Sequence, residues 1–148
     1  MQDTKSIRVL LVEDNPGDAR LVQELISECC AGLAVVQHVP SAADAMKALS
    51  RSAKSADDAF DIVLLDLSMP DSQWLASFGQ MQAVAPRVPI VVLTGIDDDD
   101  MALRSVREGA QDYLVKGEVT PQRLRRAIQL AIERHRLGLQ RSTGKKGK

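Results

Sequence analysis

Ile7-Arg8-Val9-Leu10-Leu11-Val12-Glu13-Asp14-Asn15-Pro16 changes character twice within a few residues. Ile7 to Val12 is a nearly continuous apolar run, too short for a helix and rich in branched side chains, which predicts a strand buried on both faces. Two acids end it. Asn15-Pro16 then reads as a helix cap followed by proline at the first helical position. Behind it Leu21, Val22, Leu25 and Ile26 recur at helical spacing. A strand that delivers acids into a loop and then turns into a helix is one half of a βαβ unit.

The same alternation repeats outward from this unit. Leu33 to Val39 is predicted as a strand, and Ser41 caps a helix carrying Ala42, Ala45, Met46 and Leu49. A polar loop occupies 52–59. Asp61 to Leu65 is a third strand ending on Asp66, and Met69-Pro70-Asp71-Ser72 is a turn. Leu75, Phe78, Met81 and Gln82 belong to a third helix that closes before Pro86. Val88 to Leu93 is a fourth strand with Thr94-Gly95 as its exit. Asp98 to Glu108 is a helix terminated by Gly109, and Asp97 to Asp100 suit the positive end of its dipole. Tyr113 to Val115 is a fifth strand. Thr120-Pro121 opens a last helix with Leu124, Ile128, Ala131 and Ile132 on one side. Strands alternating with helices predict an α/β fold with a parallel sheet.

Bulk properties exclude several classes. The 148 residues suit one domain, and 45% hydrophobic residues suffice for a real core. No apolar run approaches the ~20 residues that cross a bilayer, and the N-terminus has no signal core, so a cytoplasmic protein is expected. Cys29 and Cys30 are adjacent and are read as reduced thiols. His38 and His135 stand without partners at metal spacing and are read as structural or exposed. The net charge of −1 conceals a division: residues 119–148 hold nine Lys/Arg against Glu133 alone, so the remainder is strongly acidic.

In open parallel sheets, ligands bind beyond the carboxyl ends of the strands. The predicted ends carry Glu13-Asp14, Asp66, Thr94 and Lys116. Carboxylates held close repel one another and need a proton or a cation. Hard oxygen donors with waters suit Mg2+. A carboxylate beside such a cation can attack a phosphoryl group, and a lysine ammonium and a threonine hydroxyl can stabilise the anionic group in transfer.

Four blocks in order carry a resemblance: Val12-Glu13-Asp14-Asn15-Pro16, Leu64-Leu65-Asp66-Leu67-Ser68-Met69-Pro70-Asp71, Val92-Leu93-Thr94-Gly95 and Asp112-Tyr113-Leu114-Val115-Lys116. Over residues 7 to about 134 the chain resembles the receiver domain of two-component response regulators, of the stand-alone, chemotaxis-regulator kind. The resemblance implies a flavodoxin-like, doubly wound sheet in the order 2-1-3-4-5. It implies that Asp66 accepts a phosphoryl group from a histidine of a sensor histidine kinase or a histidine phosphotransfer protein. Mg2+ would be organised by Glu13, Asp14 and Asp66, with the backbone carbonyl of Ser68 as a further ligand. Lys116 would pair with the phosphoryl oxygens, and Thr94 and Tyr113 would move as a switch. Two departures stand out. Glycine follows Lys116 where members usually have proline, and Trp74 occupies a place that usually holds glycine, which suggests a role at an interface.

The expected whole is a receiver domain over 1–136 followed by a basic, flexible tail over 137–148 in which the helix protrudes or frays. It is expected to act as a phosphorylation switch by protein contact, without being a stand-alone turnover enzyme. The runner-up is a receiver segment of a longer multidomain signalling protein. An aspartyl-nucleophile phosphatase is a weaker rival, because such enzymes want a second aspartate two residues after the first and Ser68 stands there. A flavin or nucleotide module is weaker still, since acids fill the loop where glycines and free amides would cradle phosphate. The receiver resemblance places homodimer contacts on the last helices. Nucleic acid is not an expected partner, because the basic segment lacks aromatic interleaving or a DNA-binding motif, and a membrane is not, because no apolar run is long enough to cross one.

Overall fold

The computed structural model describes residues 6–30, 32–52, 54, 59–67, 74–95 and 99–144, apart from the side chains of 74, 75 and 139–144. Its elements run β1 (Ile7–Val12), α1 (Pro16–Cys30), β2 (Ala34–Val39), α2 (Ala42–Ser52), β3 (Ile62–Asp66), α3 (Trp74–Val84), β4 (Ile90–Thr94), α4 (Asp99–Glu108), β5 (Asp112–Val115) and α5 (Pro121–Gly144). The strands form one parallel sheet in the order β2-β1-β3-β4-β5. The flavodoxin-like order expected for the chain is therefore the order found.

The period of two along each strand divides the apolar residues into two cores. Val9 and Leu11, Ile62 and Leu64, and Val91 and Leu93 face one side, where they meet Val22 and Ile26 of α1 and Leu124, Ile128 and Ala131 of α5. Leu10 and Val12, Val63 and Leu65, and Ile90 and Val92 face the other, where they meet Leu49 of α2 and Phe78 and Met81 of α3. β1, β3 and β4 thus read as nearly continuous apolar runs because both faces are covered. β2 lies at the edge, and its Val35 is half exposed.

Local signals account for most boundaries. Asn15 caps α1 through Oδ1, which accepts from the Asp18 amide at 2.9 Å. Ser41 caps α2, and Thr120 caps α5. Gly109 closes α4 at φ +126°, with its amide on the Val106 carbonyl and the Ala110 amide on that of Ser105. That paired closure needs a left-handed residue, and glycine supplies it at the least cost. His135 fastens α5 at the opposite end of the sheet from the acids, donating from Nε2 to the Pro86 carbonyl at 2.7 Å. Cys29 and Cys30 are free thiols, and burial together with the neighbouring sulfur pushes the Cys29 thiol up to about 12.

Several expectations shift. β2 starts at Ala34, because the Leu33 amide still closes the turn after α1 onto Cys30. β4 starts at Ile90, because the Val88 amide turns back onto Ala85 and Pro89 has no amide to donate. Leu21, one of the four apolar residues read at helical spacing in α1, is 45% exposed. The boundary expected at residue 137 is not a helix end: α5 continues through Gly138 to Gly144. One interior glycine costs about 1 kcal/mol relative to alanine and does not end a helix that has no proline or cap to stop it. Of the two fates expected beyond Leu137, the backbone takes the protruding one. Ser68, the Met69–Ser72 turn and residues 145–148 lie outside the described residues. Among the described residues, no helix is long and apolar enough to cross a membrane.

Candidate functional site

The strand order reverses between β1 and β3, so their carboxyl ends flank the crevice in which such sheets bind ligands. β1 delivers Glu13 and Asp14 there, and β3 delivers Asp66. One carboxylate oxygen from each lies within 4.8 Å of the others. Thr94 ends β4, and Lys116 follows β5, its amide donating to the Thr94 carbonyl at 2.9 Å. Four of the five residues read from the strand ends converge, Glu13, Asp14, Asp66 and Lys116, with β5 alongside β4 bringing Lys116 across to the acids; Thr94 is joined to Lys116 through its backbone.

Glu13 and Asp66 are buried, while Asp14 is exposed. Glu13 is fixed on all sides. Its amide donates to the Val39 carbonyl at 3.0 Å, its Oε2 accepts from the Asn15 amide at 3.2 Å, and its Oε1 accepts from Lys116 at 3.3 Å. His38 Nε2 donates to the Glu13 carbonyl at 2.7 Å, so this histidine is structural, as expected, and it anchors the backbone of the site. Burial is the main reason that the Glu13 carboxyl is raised to about 8, and its hydrogen bond to Asp66 and that charge add to it. Lys116 is the opposing charge, with Nζ 3.3 Å from Asp66 Oδ2. Burial would lower its ammonium, but the Asp18, Asp66 and Glu13 carboxylates outweigh that and raise it.

An all-oxygen donor set with one arm open to solvent fits a hard, partly hydrated cation such as Mg2+ better than a soft metal. Glu13, Asp14 and Asp66 could hold it. Thr94 is fully buried, and among the described residues its hydroxyl makes one long contact, 3.5 Å, to the Leu114 carbonyl. A contact of that length holds the hydroxyl proton weakly. Tyr113 lies opposite Val92 in the β4–β5 register and is half-buried against the core. The peptide after Lys116 is trans, and the glycine there enters a turn in which the Glu118 and Val119 amides close onto Val115. Trp74 is the first residue of α3, and its ring lies outside the described side chains.

Sequence reasoning missed one member. Asp18, in the first turn of α1, sits 2.8 Å from Lys116 Nζ, closer than either buried acid. Its place one helical turn after Asp14 was the available signal, since residues four apart share a helix face.

The family model described as "Response regulator receiver domain" matches residues 9–129. The chain is 36% identical over 112 residues to the two-component response regulator ORR1 of Oryza sativa, an alignment covering 74% of this chain and 48% of that protein. It is 33% identical over 131 residues to the response regulator protein FleR of Pseudomonas aeruginosa, covering 88% of this chain and 25% of FleR. The chain thus spans about half the length, or less, of these curated relatives. A solved response regulator receiver domain from Clostridium thermocellum superposes with a TM-score of 0.73 at 26% identity, covering 88% of this chain and 98% of that one.

Proposed function

The chain belongs to the response regulator receiver family, and from that premise we propose that Asp66 is its phosphoryl acceptor. The observation that carries this reading is the convergence of Glu13, Asp14 and Asp66 within 4.8 Å, with the Lys116 ammonium 3.3 Å from Asp66. A carboxylate oxygen of Asp66 attacks the phosphorus of a phosphohistidine presented by a sensor histidine kinase or a histidine phosphotransfer protein. The P–O bond forms as the N–P bond breaks, and the departing imidazole keeps the electron pair. Lys116 meets the charge on the transferred oxygens, and the Thr94 hydroxyl donates to one of them. Mg2+, when bound at Glu13, Asp14 and Asp66, neutralises the crowded carboxylates so that an anionic donor can approach.

The switch follows from the same groups. Drawing Thr94 toward the phosphoryl group empties the space beside it, and Tyr113, on the neighbouring strand, turns inward to fill that space. The local charge biases a choice between two packings. On this reading the protein is a switch acting through protein contacts, with no turnover chemistry of its own. The phosphatase rival is disfavoured because serine stands two residues after Asp66.

Intact-mass measurement after incubation with acetyl phosphate and magnesium tests the reading. Wild type should gain one phosphoryl group, Asp66→Asn should gain none, and a chelator should abolish the gain. Full modification of Asp66→Asn would sink the assignment. Continuous release of phosphate from small phosphate esters would favour the phosphatase.

A further inference from the structure

Asp18 is not one of the three carboxylates grouped for a cation, yet among the described residues it makes the shortest of the Lys116 ion pairs. Its position is built in. The Asn15 cap holds the Asp18 backbone amide, and the side chain then reaches from the first turn of α1 to Nζ at 2.8 Å. Lys116 has three N–H donors, and Glu13, Asp18 and Asp66 each accept from it. A phosphoryl group arriving on Asp66 must draw that ammonium onto its own oxygens. Glu13 and Asp66 are buried and rely on the charge, whereas the Asp18 side chain is 42% exposed. Water can rehydrate Asp18 when it is released, at far lower cost than for a buried carboxylate.

We propose that Asp18 is a positioning residue that competes with the phosphoryl group for Lys116: it tethers the ammonium in the unmodified protein and surrenders it on phosphorylation. This rests on the assignment of Asp66 as the acceptor. Asp18 then sets how readily the site charges. Its removal leaves Lys116 unclaimed by α1 and takes one negative charge from the approach of an anionic donor.

The test is a titration of the full chain with beryllofluoride, which stands in for the phosphoryl group, in saturating magnesium. Binding is followed by amide chemical shifts in wild type and in the variants Asp18→Asn, Asp18→Ala and Asp18→Glu. Thermal unfolding of each variant checks that it remains folded. Both neutral variants should bind about two- to fivefold more tightly at low salt, the size of a partly exposed ion pair. The gap should narrow as salt rises toward ~1 M, and Asp18→Glu should stay close to wild type. Equal or weaker binding by the folded neutral variants would overturn the proposal. So would a gap that high salt leaves untouched, which assigns the gain to a reshaped loop. Wild type that binds beryllofluoride while the neutral variants match it sinks the tether alone. Wild type that binds none, and takes no phosphoryl group from acetyl phosphate, sinks the acceptor assignment along with it.

Discussion

Replacing Glu13 by glutamine should change how stability depends on pH. The ordinary value for the free carboxyl is 4.5, and in the fold it is raised to about 8, with burial as the leading cause and Asp66 as the second. Between those values the folded chain holds a proton that the unfolded chain has released. Stability from this group is therefore complete below about 4.5 and is lost as pH rises toward 8. One proton is worth at most about 1.4 kcal/mol per pH unit. From about pH 5 to pH 7 the ceiling is thus roughly 2–3 kcal/mol, a large part of the stability of a small domain. Glutamine cannot ionise and keeps the hydrogen-bonding shape, so Glu13→Gln should lack this loss and overtake wild type near neutral pH. Urea unfolding of both proteins in a chelator, at a series of pH values, measures the difference and cancels all groups common to the two. Magnesium should shrink the wild-type loss, because it binds the ionised carboxylates of the folded state alone. Curves for the two proteins that run parallel from pH 5 to 8 would refute the reasoning.

Gly109→Ala should destabilise the fold by about 1–2 kcal/mol in urea unfolding, since φ is +126° there and an added Cβ would collide with the side-chain amide of Gln82; unchanged stability would remove that explanation for the end of α4. Trp74, the only tryptophan, opens α3 beyond the carboxyl end of β3. Its fluorescence should change with beryllofluoride and magnesium, and a constant signal with binding shown independently would count against a role at that face. The basic segment of α5, including the exposed Arg125, Arg126, Arg134 and Arg136, should pair with the acidic body of a second copy. Sedimentation should then show association of the full chain that weakens as the Debye length falls from ~10 Å at 0.1 M salt to ~3 Å at 1 M. The same monomer for the full chain and for a version ending at Arg136, with and without beryllofluoride, would exclude it.

The parts of this molecule that were legible in its sequence are those governed by one strong local rule. Ile7 to Val12 could be read as a doubly covered strand because nearly every residue is apolar and branched, and both faces of β1 are indeed packed. Asn15-Pro16, Ser41, Thr120 and Gly109 announced helix ends through side-chain oxygens or a left-handed residue, and each end is found there. The acids and the lysine of the site were legible because strand ends in a parallel sheet all open on one side. Strand order was not readable from the pattern itself and entered through the family resemblance. Strand starts were displaced where a turn kept hold of an amide, as at Leu33 and Val88. Asp18 escaped notice because an acid in the first helical turn is usually explained by the helix dipole, and its pairing with Lys116 spans 98 positions. How far α5 runs was left open between protruding and fraying because the apolar stripe ends near Ile132; the backbone stays helical to Gly144.

The central claim is that Asp66 itself carries the phosphoryl group. An acyl phosphate on that side chain is reduced by borohydride, which converts the aspartyl residue to homoserine and releases phosphate. Wild-type protein charged with acetyl phosphate and magnesium, then reduced, digested and mapped by peptide mass spectrometry, should carry homoserine at position 66 and at no other aspartate. Reduction at Asp14, at another acid, or at none despite a proven gain of phosphoryl mass would contradict the account.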